Sequence, residues 1–165
     1  MNALIVRAHL AFVALPGVVA FLVPLFLIAP DTPGSFDLGR GAVPLTLGVG
    51  GLLWCVREFY VAGRGTLAPW APPEELVVTG LYRFSRNAMD IAVILVLSGW
   101  SLAFASWPLA AYAVTMTLVF HLRVVLYEEP WLAERHGDKW RNYKNRVPRW
   151  LGTRDRHDRG VSNCR

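Results

Sequence analysis

Residues 76–90 read LVVTGLYRFSRNAMD and separate two long apolar segments of the chain. The polar side chains of this stretch gather at the start of the second apolar segment: Arg83, Arg86, Asn87 and Asp90. Such a cluster at the edge of an apolar segment is typical of a site for chemistry or recognition at a membrane boundary. The pair Glu128-Glu129, which follows the next apolar segment, is its predicted partner.

The composition indicates a protein that has the bilayer as its solvent. The 165 residues are a one-domain length, 54% of them are hydrophobic, and the mean hydropathy is +0.35. The apolar residues also come in long blocks rather than at the spacing of an amphipathic helix. We therefore predict an all-α integral membrane protein, with one domain over residues 1–150 and a basic, disordered tail over residues 151–165.

Four apolar segments are predicted to cross the membrane as helices: residues 9–29, 42–61, 88–105 and 108–127. Pro16 and Pro24 should kink the first span, and neighbouring helices should satisfy the carbonyls that they free. The turn at residues 106–108 makes the third and fourth spans a hairpin. This hairpin would return Asn87, the predicted N-cap of the third span, and Glu128 to the same membrane face.

The second span and the connection after it contain features with more than one interpretation. Small residues at Gly48, Gly50 and Gly51 favour close helix packing over a nucleotide loop, since no strand precedes them. Arg57 and Glu58 either snorkel to the interface or line the site. Three prolines in residues 63–76 predict a rigid, irregular strap along the membrane surface.

The end of the chain is predicted to lie in the membrane interface. Pro130 should break the fourth helix, and residues 130–150 mix aromatic with basic side chains, as interfacial helices do, with an interruption at Gly137. Ten of the seventeen Lys and Arg follow Glu129. Anionic lipid headgroups, rather than nucleic acid, are the expected counter-charge. Cys55 and Cys164 match no metal or redox spacing, and no metal site is predicted.

The basic residues also predict an orientation. Arg7, the connection over residues 62–90 and the tail fall on one side of the membrane, and Arg40 falls on the other. The positive-inside rule then places both termini in the cytosol, in a multi-pass protein of the plasma or inner membrane. The polar cluster would face the cytosol, where a soluble cosubstrate can reach it.

An ordered set of short motifs covers residues 63–150: Pro72-Pro73, Leu76-Val77, Gly80-Leu81-Tyr82-Arg83, Arg86-Asn87-Ala88-Met89-Asp90, Glu128-Glu129, Gly137, Trp140, Tyr143 and Val147-Pro148. In order and spacing this set resembles the isoprenylcysteine carboxyl methyltransferases and the related phospholipid N-methyltransferases of membranes. The resemblance implies S-adenosylmethionine (SAM) as cofactor and a lipid-soluble or prenylated acceptor, methylated on a carboxylate or an amine. The sequence does not choose between these two acceptors.

The resemblance also implies roles for individual residues. The cofactor contacts would come from the strap, the start of the third span and the glutamate pair: Glu75, Leu76, Val77, Tyr82, Arg86, Asn87, Ala88, Met89, Asp90 and Glu128. The catalytic residues would be Glu128, Glu129 and Arg123, with Arg123 on the substrate side. Glutamates at a helix end need a compensating cation, which is either the ligand or an arginine such as Arg123 or Arg86.

Two residues depart from the family pattern, and other functions stay open. Ala88 stands where proline is usual, and Asp90 stands where tyrosine is usual. A non-catalytic member of the family that binds a lipid or a partner is therefore the second hypothesis. A small four-helix transporter is the third, although its ionisable residues should lie near the middle of the bilayer. His121, inside the fourth span, is either a site residue or a hydrogen-bonding partner of a neighbouring helix.

Overall fold

A computed structural model describes residues 13–28, 36–61 and 76–151 of the chain. Within these ranges the fold is all-helical and contains no strand. The predictions for Arg7, the strap up to Glu75 and the tail after Leu151 lie outside the described residues. Two of the described helices, Leu38–Glu58 and Trp107–Arg146, are long and apolar enough to cross a membrane, and Pro16–Ile28 and Ala88–Ala103 are shorter apolar helices.

The first helical segment is wound as a π-helix over Val13–Leu22 and continues as helix α1, Val23–Ile28. Pro24 has no N–H to give to a carbonyl of the preceding turn. Trp100 and Tyr112 take that role, since their side chains donate to the carbonyls of Ala20 and Val19 at 3.1 and 3.2 Å. The prediction that neighbouring helices satisfy the freed carbonyls is confirmed for Pro24, whereas the carbonyls that precede Pro16 by a turn lie outside the described residues.

Helix α2 spans Leu38–Val61 and packs closely on helix α3, Ala88–Ala103. Gly48 lies at this contact, where an added Cβ would come within 2.7 Å of the Val96 nitrogen and 2.8 Å of the Ala92 carbonyl oxygen. The packing interpretation of this glycine is confirmed. Helix α2 begins four residues earlier than predicted, because the Asp37 carboxylate accepts a hydrogen bond from the Gly39 N–H at 2.9 Å and organises the first turn.

Helix α4, Trp107–Arg123, follows α3 after a tight turn and forms the predicted hairpin with it. Ser106 is its N-cap residue, and Pro108 lies in its first turn, as expected. Helix α3 ends at Ala103 rather than at residue 105, because Ala105 has a positive φ of 45° that an α-helix does not contain.

The prediction that Pro130 breaks the helix is wrong. Helix α4 passes through a π-turn, Val124–Glu128, directly into helix α5, Glu129–Arg146. Pro130 falls in the first turn of α5, where a missing N–H costs little because the wider π-turn has already interrupted the regular hydrogen-bond ladder. The interruption predicted at Gly137 is confirmed by its non-helical φ of 48° and ψ of −116°.

Helix α5 is polar, in contrast to the helix that leads into it. Eight of its eighteen residues are charged, so the apolar part of the continuous helix ends before Glu128. Trp140 and Tyr143 turn towards the protein and pack with Val147, Leu76 and Leu132, whereas Trp131 is 42% exposed. This small cluster places the end of the chain next to the residues that precede α3.

Candidate functional site at the open end of the hairpin

The start of α3 and the end of α4 meet at the open end of the hairpin. Arg86 Nη1 lies 2.8 Å from Glu129 Oε1, and Arg123 Nη2 lies 3.4 Å from Asp90 Oδ1. The prediction that the two ends return to one place is therefore confirmed. Residues about forty positions apart in the chain are within reach of one small molecule here.

Arg123 bridges two carboxylates, one from each side of the hairpin. Its Nη2 lies 3.4 Å from Asp90 Oδ1 as well as 3.2 Å from Glu128 Oε2. The Asp90 side chain is 11% exposed, whereas those of Arg123 and Glu128 are 51% and 37% exposed. We call these three residues the Arg123 bridge. With two negative charges and one positive charge, the bridge carries a net negative charge at neutral pH.

Asn87 occupies the N-cap position of α3, as predicted, but its side chain does not cap the helix. The Asn87 Nδ2 instead donates to the Arg149 carbonyl at 2.9 Å. The first N–H groups of α3 thus receive no hydrogen bond from a capping side chain at this position. Such a helix start carries a partial positive charge and binds anionic groups.

Arg86 and Glu129 belong to a second, more buried cluster with Arg149, which we call the latch. Arg149 forms two hydrogen bonds with the Glu129 carboxylate, at 2.7 and 2.9 Å, beside the 2.8 Å contact from Arg86. Lys144 adds a longer contact of 3.9 Å. The Arg86 guanidinium also lies over the Trp140 ring, 5.3 Å from its centroid.

Electrostatics within the latch favour its charged form. Burial alone would raise the pKa of the Glu129 carboxyl, but the hydrogen bonds from Arg149 and the charges of Arg86, Arg149 and Lys144 outweigh burial and lower this pKa below its ordinary value. The same hydrogen bonds raise the pKa of the Arg149 guanidinium. Glu129 is therefore held as a carboxylate whose charge is already compensated by arginine.

The remaining predicted cofactor residues form the packing around the site. Val77, Tyr82 and Ala88 are buried in a cluster with Cys55, and Met89 packs against it. Burial raises the pKa of Tyr82 well above its ordinary value, so the side chain stays a neutral phenol. Leu76 packs on the Trp140 cluster instead. Glu75 lies outside the described residues, and contact of any of these residues with a cofactor stays a prediction.

Two other residues make contacts that differ from the alternatives given by the sequence. Glu58 is buried and accepts a 2.6 Å hydrogen bond from Thr79, so it fastens the connection rather than snorkelling. Gly80, next to Thr79, has a φ of 57°, and an added Cβ would lie 2.7 Å from the Glu58 side chain. His121 accepts a hydrogen bond from the Trp150 ring N–H at 3.2 Å and stacks on that ring.

Arg149 is the residue of this region that the sequence did not single out. It stands in the basic segment after α5 among similar side chains, and no motif distinguishes it. The only available signal is Pro148, which keeps the preceding residue extended and so ends the helix. Contact between Arg149 and Glu129 depends on how the chain folds back after α5, which spacing does not reveal.

The chain belongs to the phospholipid methyltransferase family, whose model matches residues 44–139. The match covers most of α2, the connection, the hairpin and the first half of α5, including both glutamates. No curated protein and no solved structure matches the chain. Membership supports transferase activity, and together with the two long apolar helices it supports association with a membrane.

Proposed function

We propose that this protein transfers a methyl group from SAM to a lipid-soluble acceptor at the cytosolic surface of a membrane. The observation that carries the proposal is the Arg123 bridge, in which Asp90 at the start of α3 and Glu128 at the end of the π-turn share one guanidinium. Two acidic side chains and an uncapped helix start lie together in a protein of a methyltransferase family.

The donor groups at this place fit the cofactor. SAM carries a positively charged sulfonium and an ammonium, for which Asp90 and Glu128 offer carboxylates, and a carboxylate, for which the start of α3 offers N–H groups. Asp90, which replaces the usual tyrosine, is thus an additional partner for the cationic groups. When bound, the cofactor supplies an activated methyl group, so the protein's own residues orient the acceptor and exclude water.

The charge of the site favours an amine acceptor over a carboxylate acceptor. Arg123 is already paired with two carboxylates, so it offers little free positive charge to an anionic acceptor. An amine needs to lose a proton before it attacks, and Glu128, which is more exposed than Asp90, is the side chain that accepts it. Glu129 is less suited to this role because arginines hold both of its oxygens.

The proposed topology has four spans with both termini in the cytosol. It rests on the two long apolar helices, the two shorter ones and the distribution of basic residues. A reporter domain that functions only in the cytosol should be active when it is fused to either terminus. A terminus that reports the opposite side of the membrane contradicts this topology.

The same bridge supports one other candidate, a family member without catalytic activity. Arg123 neutralises much of the charge that would attract the cofactor, as expected for a site that has lost its ligand. The ionisable side chains of the bridge lie at the ends of apolar segments and not near their middle, which disfavours a transporter. Binding of SAM therefore distinguishes the first two candidates.

The test is calorimetric titration of SAM into the detergent-purified protein. We expect wild-type binding in the micromolar range and a loss of about tenfold or more, about 1.4 kcal/mol, for Glu128→Ala. Glu134→Ala, an exposed glutamate on α5, is the matched control and should bind as wild type does.

Absence of heat for the wild type supports the non-catalytic candidate. Methyl-labelled SAM and extraction of the lipids then identify the acceptor.

A further inference from the structure

The two adjacent glutamates have different surroundings, although the sequence presents them as a pair. Glu128 has a side chain that is 37% exposed and contacts the half-exposed Arg123. Glu129 has a side chain that is 10% exposed and receives hydrogen bonds from Arg86 and from the Nε and Nη2 atoms of Arg149. Only Glu128 is therefore placed to respond readily to a ligand.

The latch fastens the end of the chain across the start of α3 through backbone groups. The Arg86 N–H donates to the Pro148 carbonyl at 3.0 Å, and Arg86 Nε donates to the Val147 carbonyl at 3.1 Å. The Ser85 hydroxyl and the Asn87 amide both donate to the Arg149 carbonyl. The Asn87 side chain, which would otherwise cap α3, is thus hydrogen-bonded to the segment over residues 147–149.

We propose that Glu129 is a positioning residue that acts through Arg86 and Arg149. Its carboxylate holds residues 147–149 against the start of α3, keeps Asn87 turned away from the helix N–H groups, and leaves those groups and Glu128 to the ligand. Residues 147–149 lie beyond residues 44–139 of the family match, although Val147-Pro148 is among the motifs of the resemblance, and the closure by this segment is argued from the chain's own contacts. The role in ligand binding rests on the proposed function, whereas the closure itself does not.

The first experiment measures the closure without any cofactor. Val147, which is 7% exposed, is replaced by cysteine in protein that also carries Cys164→Ser. The native Cys55 is fully buried and should not react with the label. The rate of maleimide labelling then reports opening of the segment. We expect labelling to be about tenfold faster in both Glu129→Gln and Arg149→Gln, because each change breaks the latch. Glu128→Gln, the neighbouring residue with the same chemistry, should leave the rate unchanged.

The second experiment asks whether Glu129 acts through Arg149 or touches the ligand itself. SAM affinity is measured for Glu129→Gln, for Arg149→Gln and for the double variant. Residues that act as one unit give non-additive effects, so the double variant should bind no more weakly than Glu129→Gln alone. Arg149→Gln is the milder change, since the Arg149 side chain is 34% exposed. If Glu129→Gln does not fold, labelling and affinity can still be measured for Arg149→Gln.

The outcomes separate the two proposals. Unchanged labelling in Glu129→Gln and Arg149→Gln overturns the latch, and fully additive losses of affinity overturn the positioning role in favour of direct contact. If the wild type binds no SAM, the proposed function fails, and the labelling rates still decide whether the latch exists.

Discussion

Arg86 and Glu129, which are 43 positions apart in the chain, form a buried ion pair of 2.8 Å between the start of α3 and the start of α5. Their side chains are only 5% and 10% exposed. A pair of this kind fixes two elements relative to one another, because each charge is costly to leave in the interior without the other. The fold at the open end of the hairpin therefore depends on it.

Arg86→Met should destabilise the protein strongly. It removes the hydrogen bonds of Arg86 to Glu129 and to the Val147 carbonyl, and because Arg149 and Lys144 still compensate the charge of Glu129, a loss of about 1.5–3 kcal/mol is expected. Denaturant unfolding in detergent measures the change. Arg40→Gln is the control, since its pair with Asp37 is exposed and should contribute less than about 1 kcal/mol. Equal losses for both variants would contradict the structural role of Arg86.

Gly48→Ala should weaken the contact between α2 and α3. The new methyl group would overlap the backbone of Ala92 and Val96, and overpacking of this kind costs about 1–3 kcal/mol. Gly50→Ala on the same helix has nothing within 4 Å of the added atom, so it should be neutral or slightly stabilising. The midpoint of thermal unfolding distinguishes the two variants, and a similar fall for both would argue against close packing at Gly48.

The latch should open in acid but not near neutral pH. The pKa of Glu129 is lower in the folded protein than its ordinary value of 4.5, so its contribution to stability is present above pH 4.5 and is lost as the pH falls through the lowered pKa. Labelling of the Val147→Cys protein by a dipyridyl disulfide, which still reacts with thiols in acid where maleimide does not, should therefore stay slow relative to the denatured protein at pH 5 and above and accelerate only in more acidic solution. In Glu129→Gln this acceleration should be absent, because the group that titrates has been removed.

Arg123→Gln should strengthen binding of SAM if the cofactor uses the two carboxylates of the bridge. The change removes the cation that competes for Asp90 and Glu128, and about a tenfold gain in affinity at low salt is expected. Calorimetry at two salt concentrations checks both the gain and its electrostatic origin. Arg141→Gln removes an exposed arginine of α5 and should change nothing. Weaker binding in Arg123→Gln would mean that Arg123 itself contacts the ligand.

Much of the architecture follows from the sequence, because apolar length and turn residues act locally. The apolar segments predict the helices, the turn at residues 106–108 predicts the hairpin, and Asn87 predicts where α3 begins. A hairpin of two helices of similar length returns its ends to one place whatever their contacts. The meeting of Asp90 and Glu128 was therefore predictable, and the family motifs point to the same place.

Only the tertiary structure decided which charge meets which partner. Successive residues of a helix point about 100° apart, so Glu128 and Glu129 cannot face the same neighbour. The π-turn before them changes their direction again, and it also lets the helix continue through Pro130, where the sequence predicted a break. Arg149 reaches Glu129 because the chain folds back after α5. These contacts depend on the direction in which each side chain leaves its helix and on packing between distant segments. The spacing of residues along the chain gives neither of them.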